Sequence, residues 1–157
     1  MAVSIRKVTL WRTEVEHRPG ALADLLEPLA AAGADLQIVM GYRIPGQKGR
    51  AVIEVAPVGN RKVAGAADKG GLAPGGAPTL LVLGDNRPGL ANRIARGLAE
   101  SGVTIAFLVA QVVGRRYSAV FGFESEADLD KAADRIRTAV TPKARLAPKA
   151  RRPARGR

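Results

Sequence analysis

Two short segments of this chain carry the residue types of a ligand-holding loop: Glu16-His17-Arg18-Pro19-Gly20-Ala21-Leu22 and Asp85-Asn86-Arg87-Pro88-Gly89-Leu90. In each, a carboxylate or amide side chain precedes a Pro-Gly pair that opens a run of helix-forming residues. Glycine has no side chain to shield its backbone, and the first N–H groups of a helix lack intrahelical partners, so such a helix start suits a carboxylate. Glu16 in the first copy, and Asp85 and Asn86 in the second, are placed to take an ammonium. Together the two functions describe the zwitterion of a free amino acid. The same residues also serve plain turn chemistry, in which Pro-Gly starts a helix tightly and an upstream aspartate caps it. His17 is a ligand donor or a solvated loop residue, and both readings stand.

Other chemistries find few residues. The chain has no Cys, which removes disulfides, thiolate metal sites and cysteine nucleophiles. His17 is the single histidine, so zinc clusters and Ser-His-Asp catalysis would hang on one imidazole. Tyr117, Lys131, Asp134 and Arg135 form no nucleophile-and-base pairing, and no Gly-x-x-x-x-Gly-Lys-Ser/Thr loop is present. A protein without catalytic activity, cofactor or metal is the expectation.

The elements that must position these loops repeat at one spacing. An offset of 69 superposes Arg18-Pro19-Gly20 on Arg87-Pro88-Gly89, Leu29-Ala30 on Leu98-Ala99, and Gly33 on Gly102. Before each loop lies a strand-like segment, Val8 to Val15 in the first copy and Thr79 to Leu83 in the second. After it, Leu22, Leu25, Leu26 and Leu29, and then Leu90, Ile94 and Leu98, fall at helical spacing. Pro19 and Pro88 suit a first helical position, and Gly33 and Gly102 suit a C-terminal cap. Pro28 inside the first helix removes one backbone bond and should bend the helix near Asp24. Apolar runs from Leu36 to Tyr42 and Val103 to Val113 follow, each joined by a turn to another strand, Ala51–Val55 and Ser118–Phe123. A second helix closes each copy, Asn60 to Lys69 and Glu126 to Val140. The order strand, helix, strand, strand, helix, with a short closing strand, is the ferredoxin-like split βαβ arrangement of an α+β protein. The stretch Gly70–Pro78 reads as a linker, which sets the expected division at residues 1–74, 75–142 and a tail, 143–157.

With those residues in view, the chain resembles a tandem ACT-domain protein, a family of small regulatory modules that bind amino acids. The likeness rests on the two Pro-Gly loops and on Ala32-Gly33-Ala34-Asp35-Leu36 and Ser101-Gly102-Val103-Thr104-Ile105, which resemble the family's Ala-Gly-x-Asn-Ile segment. It covers most of residues 6–140. The resemblance implies two βαββαβ modules pairing side by side, with ligand held between the loop of one and the Asn-Ile segment of the other. Carried over, Asp85, Asn86, Pro88, Gly89 and Leu90 would face Asp35 or Leu36, while Glu16, His17, Gly20 and Ala21 would face Thr104. The second copy matches the family loop more closely. Asp35 and Thr104 stand where the family has Asn, so ligand identity stays open. The resemblance further implies a homodimer formed through edge strands or helix faces, and a regulatory protein that signals its ligand state to a partner.

Charge adds a second feature. Lys and Arg number 25 against 14 Asp and Glu, for a net charge of +11. Seven of the basic residues, and no acidic one, lie between Lys143 and Arg157. Two prolines and little apolar bulk there predict an extended, disordered tail, which could grip phosphates in a salt-dependent way or serve only as a solubilising extension. A nucleic-acid reading of the body finds Phe121-Gly122-Phe123, which faintly resembles an RNA-recognition platform. Val120 and Glu124 flank it where that motif wants basic residues, and the chain has only six Phe, Trp and Tyr residues, so core packing is the expected role. No apolar run fits a signal peptide or a membrane span, and a soluble cytoplasmic protein is expected.

Overall fold

The computed structural model describes residues 3–141. The basic segment 143–157, with its expected disorder and anionic partner, lies outside the described residues. In chain order the elements are β1 (Ser4–Val8), β2 (Trp11–Glu16), α1 (Ala21–Ala31), β3 (Ile38–Arg43), β4 (Arg50–Ala56), α2 (Arg61–Lys69), β5 (Ala73–Pro74), β6 (Thr79–Asp85), α3 (Leu90–Glu100), β7 (Ile105–Val113), β8 (Arg116–Phe123) and α4 (Glu126–Val140). They build two separate four-stranded antiparallel sheets, ordered β3-β4-β2-β5 and β1-β6-β8-β7. Each has the ferredoxin-like order expected from the repeat, with helices on one face.

The segment expected to be one strand, Val8 to Val15, is two. Residues 4–8 pair with β6, Ser4 opposite Leu83 and Val8 opposite Thr79. The chain then crosses at Thr9-Leu10 and enters the other sheet as β2, Trp11 opposite Val55. Leu10 sits at the crossing, 1% exposed, and its carbonyl accepts the Gly75 N–H at 3.0 Å. The closing strand of the second sheet therefore comes from the N-terminal end of the chain, and the first module is nested within the second. In the first module the linker-like stretch supplies the closing strand, the two-residue β5, which pairs with Trp11 and Arg12. Pro74 is tolerated there because the strand is an edge.

The helix ends follow the glycine spacing. Gly20 and Gly89 are the N-caps of α1 and α3, with φ of 86° and 76°, a left-handed conformation that only glycine adopts without strain. Pro19 and Pro88 precede these caps in the turn, rather than filling the first helical position. At the far end Gly33 and Gly102 also have positive φ, and the Ala34 and Val103 N–H groups reach back to Leu29 O and Leu98 O. Asn60 and Ser125 cap α2 and α4 through their side chains, which accept from Val63 N and Asp128 N. Pro28 lies exposed in the last turns of α1, where its ring nitrogen cannot donate the helical bond to the Asp24 carbonyl.

Alternation then sorts the core. In the first module Ile53 and Val55 meet Leu25, Leu29, Val63 and Ala67 on the helix side. In the second, Leu80, Val82, Phe121 and Phe123 meet Leu90, Ile94, Leu98, Leu129 and Ile136. The opposite faces pack on each other: Leu10, Ile38 and Ala56 against Leu81 and Val120, flanked by Met40, Leu83 and Phe107. The modules thus stack sheet on sheet, in four layers with helices outside, and the side-by-side pairing expected from the resemblance is not formed within the chain. The physical reason lies in β4, β6 and β8, which are apolar on both faces, so each needs cover on both sides. Phe121 and Phe123 are buried and stacked at 6.3 Å, as core residues.

Candidate ligand site

The first Pro-Gly loop is built by the end of β2 and the start of α1. Its backbone is held by His17 N donating to Gly49 O at 2.8 Å and Arg18 N donating to Glu16 O at 3.0 Å. The first α-helical bond runs from Asp24 N to Gly20 O at 2.9 Å, and no side chain caps the helix. The Leu22 and Ala23 N–H groups are thus orphan donors of the first turn. Arg18 folds over this turn, its guanidinium donating to Asp24 Oδ2 at 2.6 Å and to Pro19 O at 3.1 Å.

Beside the loop is a cavity of about 290 Å³. One wall is the loop and the first turn of α1: Glu16, His17, Arg18, Ala21 and Leu22. The other is strand: Val15 from β2, Gly41, Tyr42 and Arg43 from the edge strand β3, and Ala51, Val52 and Ile53 from β4. Register places Val15 and Arg43 opposite Ala51, and Gly41 opposite Ile53. Ile53 belongs to the core beneath α1 and α2, so these residues share the helix side of the sheet. The volume lies between the N-terminal turn of α1 and the edge of the sheet. It exists because Ala21, Gly41 and Ala51 are small; a Cβ added at Gly41 would meet nothing within 4 Å.

Tyr42, between Gly41 and Arg43 on the edge strand, turns its side chain to the opposite face of the sheet. Its hydroxyl donates to Glu54 Oε2 at 3.0 Å, and Glu54, 3% exposed, also has the Arg12 Nε within 3.9 Å. Burial, and next the Glu54 carboxylate, hold the Tyr42 phenol above its ordinary pKa. The pair is a donor–acceptor lock that fixes an edge side chain.

The second loop has the same backbone and a different interior. Asp85 ends β6, half-buried; the Asn86 N–H donates to Arg115 O at 2.9 Å; Pro88 and Gly89 are exposed in the turn. Leu90 stands at the position of Ala21 and is only 4% exposed. Glu16 pairs with Arg50 and Asp85 with Arg116, so Tyr117 stands at the position of Ala51, and it is 5% exposed. Both belong to the core cluster of the second module. Burial in this apolar surrounding pushes the Tyr117 phenol above its ordinary pKa. Leu90 and Tyr117 therefore occupy the space that Ala21 and Ala51 leave open.

Of the residues expected at the first site, the structure brings Glu16, His17 and Ala21 to one cavity, with Gly20 as the cap beside it. Thr104 precedes β7, exposed, and does not line this cavity, whose walls come from the first module alone. Asp35 and Leu36 lie at the other end of their module, next to the seam. There the Arg6 guanidinium donates to Gln37 Oε1 at 2.7 Å, across a cleft of about 300 Å³ between β1 and the first module. Gly41, Tyr42 and Ala51 were not foreseen as lining residues. The exchange of Ala21 for Leu90 between the two copies marks only the loop side of the cavity; the strand wall follows from the sheet register. Gln111, at the position of Tyr42, is an exposed residue of β7. Among the described residues no group of acidic residues and histidine is arranged to hold a metal. No helix among them is long and apolar enough to cross a membrane.

Neither the protein-family models nor the curated proteins contain a match to this chain. Solved structures do match. Protein BT0572 from Bacteroides thetaiotaomicron superposes with a TM-score of 0.70 at 15% identity, over 85% of this chain and 89% of its own. The regulatory subunit of aspartate kinase from Thermus thermophilus superposes with a TM-score of 0.58 at 13% identity, over 88% and 97%. Aspartokinase III of E. coli, solved in complex with aspartate and ADP, gives 0.55 at 9% identity, over 88% of this chain and 33% of that one. At these identities the likeness is one of fold, an α+β arrangement of two four-stranded antiparallel sheets with helices.

Proposed function

We propose that this chain is a regulatory module that binds a free amino acid, or a similar small zwitterion, at its first Pro-Gly loop and conveys that state to a partner without catalysis. The observation that carries the reading is the cavity behind Gly20, which joins an uncapped helix start to a carboxylate, Glu16, across one small volume. The orphan N–H groups and the helix dipole suit an α-carboxylate, and Glu16 suits an α-ammonium. A volume near 290 Å³ stands at the small end of ligand pockets and fits one amino acid rather than a nucleotide. Fold neighbours that are regulatory subunits of aspartate kinase, one of them a kinase holding aspartate, support the same direction.

The chain acts as a homodimer in this reading. β7 is the last strand of its sheet, and Leu108, Val109, Val112 and Val113 are about half exposed or more along it, an edge with no charged residue to block pairing.

The test is a thermal-shift series on the full chain against the twenty amino acids. A ligand at a hundredfold excess over its Kd stabilises the folded state by about 2.7 kcal/mol, which raises Tm by several degrees. A shift with one or a few amino acids, lost on Glu16→Ala, is expected; no shift with any of them removes the reading.

A further inference from the structure

The interior of the first cavity differs in character from its rim. Glu16 and the first-turn amides of α1 stand where the backbone of an amino acid would dock, whereas the strand wall behind them presents Val15, Gly41, Ala51 and Ile53. Of the two arginines nearby, Arg18 is engaged by Asp24 and Arg43 is an exposed residue at the end of the edge strand. A charged ligand side chain entering this volume would lose its water with no buried partner to replace it. An apolar one would gain by the same transfer.

The second module gives an independent template for what fits there. Its corresponding space is filled by its own Leu90 and Tyr117, both buried in the core. The same framework therefore accepts apolar groups of leucine size and above, packed between the first turn of the helix and the strands. In the first module Ala21 and Ala51 withdraw those groups and leave the space to a visitor.

Resting on the reading of the loop as an amino-acid site, we infer that the ligand is an amino acid with an apolar side chain of leucine size or larger, whose side chain takes the place that Leu90 and Tyr117 hold in the second module. Ala21 and Ala51 are then the specificity-determining residues, because their smallness makes the room.

The experiment is isothermal titration of the full chain with leucine, isoleucine, methionine and phenylalanine, set against aspartate and lysine, followed by variants that transplant the internal plug, Ala51→Tyr and Ala21→Leu. At least one of the apolar amino acids is expected to bind ten times or more tighter than aspartate and lysine. Each plug variant should weaken that binding at least tenfold while Tm stays level or rises, since an apolar cavity has been filled. Should Ala51→Tyr fail to fold, Ala21→Leu, which adds only the side chain already found at residue 90, carries the same test. Preference for aspartate or lysine would overturn this inference and leave the amino-acid reading intact. Apolar binding untouched by a folded plug variant would overturn it by placing the ligand elsewhere, and no binding of any amino acid would remove both readings.

Discussion

The two Pro-Gly loops share a backbone and differ in what occupies the space behind it. Both glycines take the left-handed conformation, both helices begin one residue later, and both end on a left-handed glycine thirteen residues after the first. Behind the second loop Leu90 and Tyr117 complete a packed core, whereas behind the first Ala21 and Ala51 leave a volume of about 290 Å³. Backbone devices persist in the repeat because the strand-to-helix turn demands them wherever it occurs. Side chains behind the turn are free to differ, and one copy has filled the space while the other leaves it open. The filled space contributes its burial to stability; the open one, on the proposed reading, leaves that contribution to a ligand.

The largest effect that tests this contrast comes from breaking the plug. Tyr117→Ala removes a buried aromatic side chain and should cost about 3–5 kcal/mol, read as a lower urea midpoint at unchanged slope. At the corresponding position of the first module, Ala51→Gly removes a single methyl group and should cost about 1 kcal/mol. The only tryptophan, Trp11, lies in the first module, so its fluorescence reports on that half while far-UV circular dichroism reports on both. If the sheet-on-sheet seam of Leu10, Ile38, Ala56, Leu81 and Val120 couples the halves, the two signals shift together in Tyr117→Ala. A core that melts without moving the Trp11 transition would show that the modules stand independently.

A smaller, paired effect separates backbone from site. Alanine at residue 20 or residue 89 must take a positive φ, which should cost about 1 kcal/mol in either module. Ligand affinity should respond only to Gly20→Ala, because only that loop borders the open cavity. Equal loss of affinity from Gly89→Ala would bring the second loop back as a site and erase the distinction between the copies.

Much of this arrangement was legible in the sequence, for reasons that are local. The glycine punctuation and helical spacing of Leu25, Leu29, Ile94 and Leu98 mark the helices, and α4 runs from Glu126 to Val140 as its apolar face predicts. The break at Thr9-Leu10 was not legible, since Val8 to Val15 reads continuously as a strand and nothing nearby says that residues 4–8 pair with residues 79–83. That pairing is decided by which sheet lacks a closing strand, a property of the whole fold. The stacking of the sheets left a trace, because residues 51–56 are buried throughout and Leu80 to Leu83 are apolar on both faces. The loops could be found from spacing alone. The far wall of the cavity could not, because Gly41 and Ala51 reach Ala21 only through the sheet register.

The smallest expected effect concerns the ion pair that only the first loop can form. Arg18 and Asp24 meet at 2.6 Å, yet both are largely exposed, and the second module carries Arg93 where the first has Asp24. A turn of the same shape forms there with an arginine at each of the two positions, so the pair is not what makes the turn. Asp24→Ala should therefore leave the unfolding midpoint unmoved at physiological salt, where exposed charges are largely screened. Asp24→Arg, which copies the second loop, sets a second cation near the positive end of α1 and should lower the midpoint only at low salt. A loss that persists at 1 M salt would mean that the pair holds Arg18 in place by packing as well as by charge, and that the two loops reach one backbone by different means.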